Sequence, residues 1–318
     1  MKRQLTKLLP IIDLLSVAFV FPAGWLLRSI RQAGLDKMPL CKKALFKVGV
    51  LPIRDHYYEP EFKLKPRHGT YQVDRPLPGI DWNEAGQLEL LEELTYANEI
   101  PDAIKQRHGE VQYSWDNGNF IAGDVDFLYQ IIRAKKPRRI FEIGSGSSTI
   151  IAATAVQANQ QDDANYTCRH QCVEPYERHW LESLPVTVVR EKVETLDLAI
   201  FQDLERNDLL FIDSSHIIRP EGDVLHEYLQ ILPTLKPGVI VHVHDIFSPR
   251  NYPDQWLLGL VRFWNEQYIL ESFLTHNSEW SIIAALNFLH HRHHETLKGV
   301  CPFLREDTMP GSFYLQRN

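Results

Sequence analysis

Residues 139–149 read Arg-Ile-Phe-Glu-Ile-Gly-Ser-Gly-Ser-Ser-Thr, a short apolar run that ends in two glycines. The run Arg139–Ile143 has the pattern of a buried strand, and the small apolar residues that follow Thr149 suit a helix packed closely on a sheet. Glycine lets a backbone turn sharply and approach a ligand without interference from a Cβ atom. The stretch therefore predicts a strand, a ligand-binding loop and a helix, in that order.

Further strand patterns follow this loop, and helix patterns separate several of them. The strand patterns are Gln171–Glu174, Val186–Val189, Asp208–Asp213, Val239–Val243, Trp280–Ala284 and Ser312–Gln316. An amphipathic pattern between Val224 and Leu235 predicts a helix, which Lys236-Pro237-Gly238 closes. Strands that alternate with helices predict an α/β fold, a doubly wound and mostly parallel sheet with helices on both faces.

Acidic residues stand at the ends of four predicted strands. They are Glu142, Glu174, Asp213 and Asp245. Ligands of such sheets bind in the crevice at the carboxyl ends of the strands. We therefore expect these four carboxylates to lie at the binding edge.

The loop after the first strand favours S-adenosylmethionine over a dinucleotide. Free N–H groups at the start of a helix bind an anion, here the methionine carboxylate. Glu174 is placed to accept hydrogen bonds from two ribose hydroxyls. Thr149 occupies the position of the third glycine of a dinucleotide loop, and Glu142 lies near the expected amino and sulfonium groups.

From about Tyr113 to its end, the sequence resembles the class I S-adenosylmethionine-dependent methyltransferases. The motifs that carry the resemblance are FEIGSGSST (141–149), FIDSSH (211–216), HVHDI (242–246) and, less closely, DNGNF (116–120). The resemblance implies a Rossmann-like sheet of seven strands whose last pair is antiparallel. The cofactor-binding residues predicted from the motifs are Glu142, Gly144, Ser145, Gly146, Ser148, Glu174, Asp213 and Asn119. Family usage also places Asn117 and Phe120 beside the cofactor or the substrate.

Polar residues at the tips of the fourth and fifth strands predict the acceptor side of the site. They are Asp213, His216, His244 and Asp245. We predict that Asp213 and His216 are catalytic and that His216 deprotonates an acceptor hydroxyl, since histidine is the commonest general base near neutral pH. Alternatively, Asp213 caps its strand and His216 orders a loop.

The same layout resembles that of catechol and sugar O-methyltransferases, in which carboxylates after these two strands hold a divalent metal. Such a metal, Mg²⁺ or Mn²⁺, would here be bound by Asp213, His244 and Asp245. The sequence departs from both patterns. Ile246 stands where the catechol type has an amide, and His244 stands where the sugar type has a second acid.

The segment from Phe247 to Asn277 is rich in aromatic and amide side chains. This composition suits a lid over a polar acceptor such as a sugar. A packed amphipathic helix is the alternative. The predicted partner is thus a small-molecule or glycan acceptor.

Charge separates a basic head from an acidic body. Residues 1–50 carry nine Lys or Arg and two Asp, a net charge of +7. Since the whole chain has a net charge of −7, the remainder carries −14. The overall charge argues against a general nucleic-acid-binding protein. The head instead predicts contact with an anionic partner, such as a membrane surface.

Within this head, Leu14–Leu27 is an apolar run of fourteen residues. Runs of about 10–14 residues are more often interfacial or core helices than membrane spans, and Pro22 and Gly24 are expected to break this one. A cleaved signal is a poor fit, because no small-residue cleavage site stands out. The segment either lies in a membrane interface or packs on its own protein, and a span is less favoured.

We divide the chain into a basic helical head (1–50), an irregular connector and helix that form a candidate cap (51–112), and the cofactor-binding domain (113–318). Four scattered cysteines predict a reduced, cytoplasmic protein, peripheral to the membrane if the head binds one. The predicted function is O-methylation of a small-molecule or glycan hydroxyl. The alternatives are a nicotinamide-dependent oxidoreductase and a non-catalytic, membrane-tethered scaffold.

Overall fold

The computed structural model describes residues 2–56, 58–59, 65–176 and 178–318, with side chains from residue 8 onward. Six residues of the predicted connector, Tyr57 and residues 60–64, and the side chains of Lys2, Arg3 and Lys7 lie outside the described part. The chain forms two compact units, Met1–Gly69 and Thr70–Asn318. The division falls after Gly69, later than the predicted end of the basic head at residue 50.

The first unit contains two helices, α1 (Lys2–Ala33) and α2 (Pro39–Val48). The expectation that Pro22 and Gly24 break the apolar run is wrong, because α1 continues through both residues. A proline withdraws one backbone donor from a helix, whereas the apolar residues on both sides continue the hydrogen-bond ladder. Gly49, at a left-handed φ of 79°, ends α2.

The second unit is built on a seven-stranded sheet. A two-stranded antiparallel hairpin, β1 (Arg107–His108) and β2 (Val111–Gln112), precedes it in the chain. The strands of the sheet are β3 (Arg139–Ile143), β4 (Arg169–Val173), β5 (Thr187–Val189), β6 (Leu209–Ile212), β7 (Ile240–Val243), β8 (Trp280–Ala285) and β9 (Phe313–Arg317). Their order is β5-β4-β3-β6-β7-β9-β8, and only β9 runs antiparallel to its neighbours. The predicted mostly parallel Rossmann-like sheet is confirmed.

Nine α-helices occur in the described part of the second unit. They are α3 (Glu84–Glu93), α4 (Ile100–Ala103), α5 (Asp124–Lys135), α6 (Ser147–Asp162), α7 (Ala199–Gln202), α8 (Asp223–His226), α9 (Glu266–Leu274), α10 (Leu286–Arg292) and α11 (His294–Val300). Single turns of 3₁₀-helix lie at Ala97–Glu99, Trp115–Asn117, His179–Ser183, Val193–Thr195 and Leu232–Thr234. Turns of π-helix lie at Glu227–Ile231 and Gln255–Gly259.

The predicted helix between Val224 and Leu235 is present but irregular. It begins as α8, continues through the π-turn Glu227–Ile231 and ends in the 3₁₀-turn Leu232–Thr234. π-turns are rare and often occur beside functional sites. Here the turn carries Tyr228, which is buried and contacts the candidate site described below.

The sheet has its topological switch point at β3. The chain first adds β4 and β5 on one side of β3 and then crosses to place β6 on the other side. The segment after β3 leads to β4 on one side, and the segment after β6 leads to β7 on the other side. Since these two segments leave neighbouring strands in opposite directions, a crevice opens between them. The loop that follows β3 and the residues that follow β4 and β6 therefore surround one space.

Candidate active site

A cavity of about 320 Å³ lies at the carboxyl ends of β3, β4 and β6. Three predicted cofactor residues line it, namely Gly144, Glu174 and Asp213. The lining also includes Arg178, Lys192, Val193 and Glu194, to which sequence reasoning gave no role. A polar cleft of this size at a switch point is the usual place for a ligand in such a sheet.

Gly144 permits a close approach between two strand ends. Its φ is +77°, and an added Cβ atom would lie 1.9 Å from the carbonyl oxygen of Asp213. The Asp213 N–H donates to the carbonyl of Ile143 at 2.8 Å, and the Gly144 N–H donates to Val173 at 3.0 Å. Only glycine fits this position, because any side chain would separate the ends of β3 and β6.

Glu174 presents a buried carboxylate to the cavity. The Ser145 N–H donates to its Oε2 at 3.3 Å, and the Tyr176 N–H donates to its Oε1 at 3.0 Å. Each carboxylate oxygen can accept a further hydrogen bond. This geometry suits the predicted role of binding two ribose hydroxyls.

Glu142, a predicted cofactor residue, does not line this cavity. Its Oε2 lies 2.9 Å from His170 Nε2 and 3.3 Å from Cys172 Sγ. Glu142 and Cys172 are register partners of β3 and β4, so their side chains share one face of the sheet. The carboxylate therefore lies inside that face and not at the strand tip. Its Oε1 has no hydrogen-bond partner among the described residues.

The remaining predicted cofactor residues stand around the cavity rather than in its lining. Ser145 contributes its N–H to Glu174, and the Gly146 N–H donates to Thr149 Oγ1 at 3.1 Å at the start of α6. Asn119 is exposed, and its N–H donates to Asn117 Oδ1 at 2.9 Å. The predicted residues outside the lining are Glu142, Ser145, Gly146, Ser148 and Asn119.

A second cluster adjoins the cavity through Asp213. His216 Nε2 lies 3.2 Å from Asp213 Oδ1 and 3.6 Å from Asp245 Oδ2. One donor atom from each of the three residues lies within 4.8 Å of the other two. Two carboxylates and an imidazole form a donor set suited to Mn²⁺ and, with water ligands, to Mg²⁺. The residues present therefore fit the predicted divalent ion.

His244, the third predicted metal ligand, stands outside this cluster of three. Its Nε2 lies 3.7 Å from Asp245 Oδ1, and its ring packs on Phe120 with centroids 5.2 Å apart. Both residues follow the end of β7, and the backbone turns at Asp245, whose φ is +58°. The Asp245 carboxylate contacts His216, whereas the His244 ring packs on Phe120. The structure thus replaces His244 by His216 in the candidate ligand set.

Glu266 is a residue of the site that sequence reasoning missed. It begins α9 and is fully buried, with Oε2 at 2.7 Å from His216 Nδ1. Tyr228 donates its hydroxyl to the other oxygen at 3.2 Å. The sequence offers no signal for this contact, because fifty residues separate Glu266 from His216.

Two residues of the site have left-handed backbone conformations that non-glycine residues rarely adopt. The φ values are +59° at His216 and +58° at Asp245. Such strain costs about 1–3 kcal/mol per residue and persists where the surrounding structure requires it. Both residues belong to the candidate catalytic cluster.

The opposite charges of His216 and its neighbouring carboxylates shift one another's pKa values. Burial alone would lower the pKa of His216, but its hydrogen bonds with Asp213 and Glu266 raise it well above its usual value. Burial would raise the pKa of Asp213, yet His244 and His216 hold it below its ordinary value. An imidazolium has no lone pair with which to accept a proton. His216 can therefore serve as a base or as a metal ligand only after Nε2 loses its proton.

The segment Phe247–Asn277 contains an aromatic cluster and also the packed helix α9, and its role as an acceptor lid stays a prediction. Trp264 packs on His216 with centroids 4.4 Å apart. The guanidinium of Arg262 lies 4.2 Å from the Trp264 ring centroid and 4.4 Å from that of Trp256. Trp256 in turn lines a second cavity of about 640 Å³ with Trp115, Phe247, Phe303 and Arg305. These aromatic rings thus connect this cavity with the cluster at His216.

Comparisons with known proteins match the part of the chain that contains this site. Residues 141–246 match the family model described as a methyltransferase domain. The match begins within β3 and ends just after β7, and it includes Gly144, Glu174, Asp213 and His216. An uncharacterized protein of Archaeoglobus fulgidus is 26% identical over 175 residues, which cover 51% of this chain and 77% of that protein.

Solved methyltransferase structures are similar to the chain at low identity. An O-methyltransferase from Bacillus cereus in complex with SAH is 14% identical, with 73% of this chain and 91% of that chain covered and a TM-score of 0.35. CalS11, a TDP-rhamnose 3′-O-methyltransferase of calicheamicin biosynthesis, is 13% identical, with 79% and 99% covered and a TM-score of 0.37.

Proposed function

We propose that the chain is an S-adenosylmethionine-dependent methyltransferase that methylates a hydroxyl group of a small molecule or glycan. The observation that carries the proposal is the position of Asp213. Its backbone adjoins Gly144 in the lining of the first cavity, and its carboxylate contacts His216 in the adjoining cluster. One residue thus lies between a nucleotide-type cavity and a proton-transfer or metal-binding cluster.

The first cavity has the chemistry that this methyl donor requires. Glu174 offers acceptors for ribose hydroxyls, and Val193 offers an apolar surface for a base. Arg178, whose Nη1 would lie 3.1 Å from a Cβ atom on Gly146, provides a cation for the donor's carboxylate. When bound, the donor supplies a methyl group whose bond to sulfur breaks as its bond to the acceptor oxygen forms.

The cluster supplies the means of removing the acceptor proton. A sugar hydroxyl is nearly as weak an acid as water (pKa about 15.7), so its proton must leave during transfer. His216 is oriented by Glu266 and faces Asp213 and Asp245. A divalent ion held by Asp213, His216 and Asp245 would acidify the hydroxyl, as metals do for bound water. In that arrangement His216 Nδ1–H would donate a hydrogen bond to Glu266, which is a common support for a metal-binding histidine.

Base catalysis is the second candidate for the same step. His216 Nε2, without its proton, would take the hydroxyl proton directly, and such assistance is typically worth 10²–10⁴-fold. The short contact between His216 Nδ1 and Glu266 favours this role as well, because a buried carboxylate stabilises the imidazolium that forms. Removal of metal ions distinguishes the two, as described in the Discussion.

The second cavity supports the proposed class of acceptor. Its lining combines tryptophan and phenylalanine rings with Gln255, Arg305 and Asp307. Flat aromatic surfaces with polar groups at their edges suit a sugar or another small polar molecule. The chain places Phe247 in this lining two residues after Asp245, so the cavity lies beside the cluster.

Isothermal titration tests this function against its two rivals. A methyltransferase binds S-adenosylmethionine and S-adenosylhomocysteine, whereas a nicotinamide-dependent oxidoreductase binds NAD. A non-catalytic scaffold binds the methyl donor without transferring its methyl group to any acceptor. We expect binding of S-adenosylhomocysteine, loss of this binding in Glu174→Ala, and methyl transfer from labelled donor in a screen of hydroxylated metabolites. Binding of NAD alone would contradict the proposal.

A further inference from the structure

Helix α1 exposes apolar side chains in every direction. Within Leu8–Ala33, an 18-residue window has a mean hydropathy of 1.8, and none of that window is buried. Consecutive residues are exposed, for example Phe19 (77%), Val20 (64%) and Phe21 (68%). Since successive helical residues are about 100° apart, no face of this segment is polar. A helix that is apolar all round belongs either in a protein core or in a lipid bilayer.

The apolar part of α1 has the length of a membrane span. Leu8–Leu27 comprises 20 residues, of which only Asp13 is charged. At about 1.5 Å per residue, 20 helical residues extend about 30 Å, the thickness of the hydrocarbon layer. Trp25 lies near the carboxyl end of this segment, where tryptophan is common in spans because it favours the interface. Asp13 lies near the other end, where a charge costs less than at the centre.

We propose that α1 spans a lipid bilayer and anchors the chain in it. This differs from the sequence-based expectation, which left open an interfacial helix and a helix packed on its own protein and favoured a span less. An interfacial helix needs a charged face toward water, and the stretch from Leu14 to Leu27 contains no charged residue on any face. The continuity of α1 through Pro22 removes the second argument against a span, which was the expected break in the apolar run.

Basic residues determine the orientation of the span. On its carboxyl side stand six cations and one acid, namely Arg28, Arg31, Lys37, Lys42, Lys43, Lys47 and Asp36. On its amino side, the sequence has Lys2, Arg3 and Lys7. The positive-inside rule therefore places the carboxyl side, and with it the unit Thr70–Asn318, in the cytoplasm.

Helix α2 extends the same contact along the membrane surface. It carries Lys42, Lys43 and Lys47, and it exposes the apolar side chains of Leu40 and Phe46. Anionic headgroups attract each such cation by about 1 kcal/mol. This attraction acts on the cytoplasmic leaflet, in agreement with the orientation given above.

Extraction of membranes that contain the full-length chain tests the span. We expect the chain to remain in the membrane pellet after alkaline carbonate and after about 1 M salt, and to be released by detergent. Salt at about 1 M screens the attraction between surface charges and anionic headgroups. Release by salt or carbonate would show an interfacial helix and overturn the proposal. Complete recovery in the soluble fraction would show that α1 packs on protein.

A pair of charge variants makes the test specific. Phe19→Arg places a charge at the middle of the span, where charges are costly, and we expect it to reduce the pelleted fraction several-fold. Phe46→Arg, a matched change in α2 outside the span, should remain in the pellet. Equal extraction of both variants and of the wild type would overturn the proposal.

Protease protection tests the orientation without any variant. In spheroplasts treated with protease from outside, we expect Thr70–Asn318 to survive until detergent is added. Digestion of that unit in intact spheroplasts would overturn the orientation. Since neither readout depends on methyl transfer, the anchor and the proposed activity can fail separately.

Discussion

The Nδ1 atom of His216 lies 2.7 Å from the Oε2 atom of Glu266, and both side chains are buried. Tyr228 donates to the second oxygen of the same carboxylate. The imidazole is therefore held in one orientation, with Nε2 directed to Asp213 and Asp245. This fixed orientation is what either role of His216 requires, because both roles use Nε2.

Glu266 should act as a positioning residue for His216. In Glu266→Gln the amide keeps the size of the side chain but loses the charge that stabilises Nδ1–H. We expect a 10–100-fold loss of Mn²⁺ affinity or of turnover, the usual effect of removing such a partner. Titration with Mn²⁺ and methyl transfer from labelled donor measure the two effects. An unchanged variant would show that the contact has no functional consequence.

His216 itself should be essential for transfer but not for binding of the donor. We expect His216→Ala to lower turnover by about 10²-fold or more, while S-adenosylhomocysteine still raises the melting temperature, because His216 does not line the first cavity. Methyl transfer and thermal shift are the two measurements. Full activity of this variant would remove both the base and the metal-ligand roles.

Removal of metal ions separates those two roles. If a divalent ion activates the acceptor, EDTA abolishes methyl transfer and Mg²⁺ or Mn²⁺ restores it, and Asp245→Asn weakens Mn²⁺ binding at least 10-fold. Asp102→Asn, at an exposed carboxylate, serves as the control. If base catalysis dominates, EDTA changes little, and Asp213→Asn still impairs transfer because Asp213 contacts His216 Nε2.

The donor cavity should depend on Gly144 more than on Gly146. In Gly144→Ala the new methyl group would meet the backbone of Asp213, so we expect lower stability and no thermal shift with S-adenosylhomocysteine. In Gly146→Ala the nearest atom, at 3.1 Å, belongs to the flexible side chain of Arg178. That variant should fold and keep most of its shift. The reverse order of effects would contradict the assignment of the cavity.

The second unit should lose stability in mild acid through His108. This residue is buried, and its Nε2 lies 3.0 Å from Thr154 Oγ1. Burial lowers the pKa of His108 below its usual 6.5. The folded state therefore binds fewer protons than the unfolded state, and the stabilisation present above pH 6.5 decreases as pH falls toward the folded pKa. Urea denaturation at pH 7.5 and 5.5 should show a smaller decrease for His108→Gln than for the wild type.

Local patterns in the sequence predicted the sheet and half of the site. The apolar runs that end at Ile143, Val173 and Ile212 predicted three strands, and the structure confirms them with boundaries shifted by a residue or two. Gly144 follows β3, Glu174 follows β4 and Asp213 follows β6, and the sequence assigned all three to the binding edge. Parallel strands bring their carboxyl ends to one edge, so the position of a residue in its own strand fixes its place.

The direction of a side chain was harder to predict than its position. Glu142 was expected at the strand tip, but its register with Cys172 turns it into one face of the sheet. His244 was the predicted metal ligand, but His216 is the histidine that lies with Asp213 and Asp245, because the chain turns at Asp245 after the end of β7. These outcomes depend on pairing between strands, which a single strand pattern does not contain.

By itself, the sequence determined the fold and the place of the donor cavity, because glycine turns and strand periodicity act over a few neighbouring residues. It also determined the uniform apolar character of α1, which composition alone specifies. The tertiary structure decided that Glu266 holds His216 and that Trp264 covers it. Those contacts join segments about fifty residues apart, and only the packing of α9 and its preceding loop against the sheet edge brings them within a few ångströms.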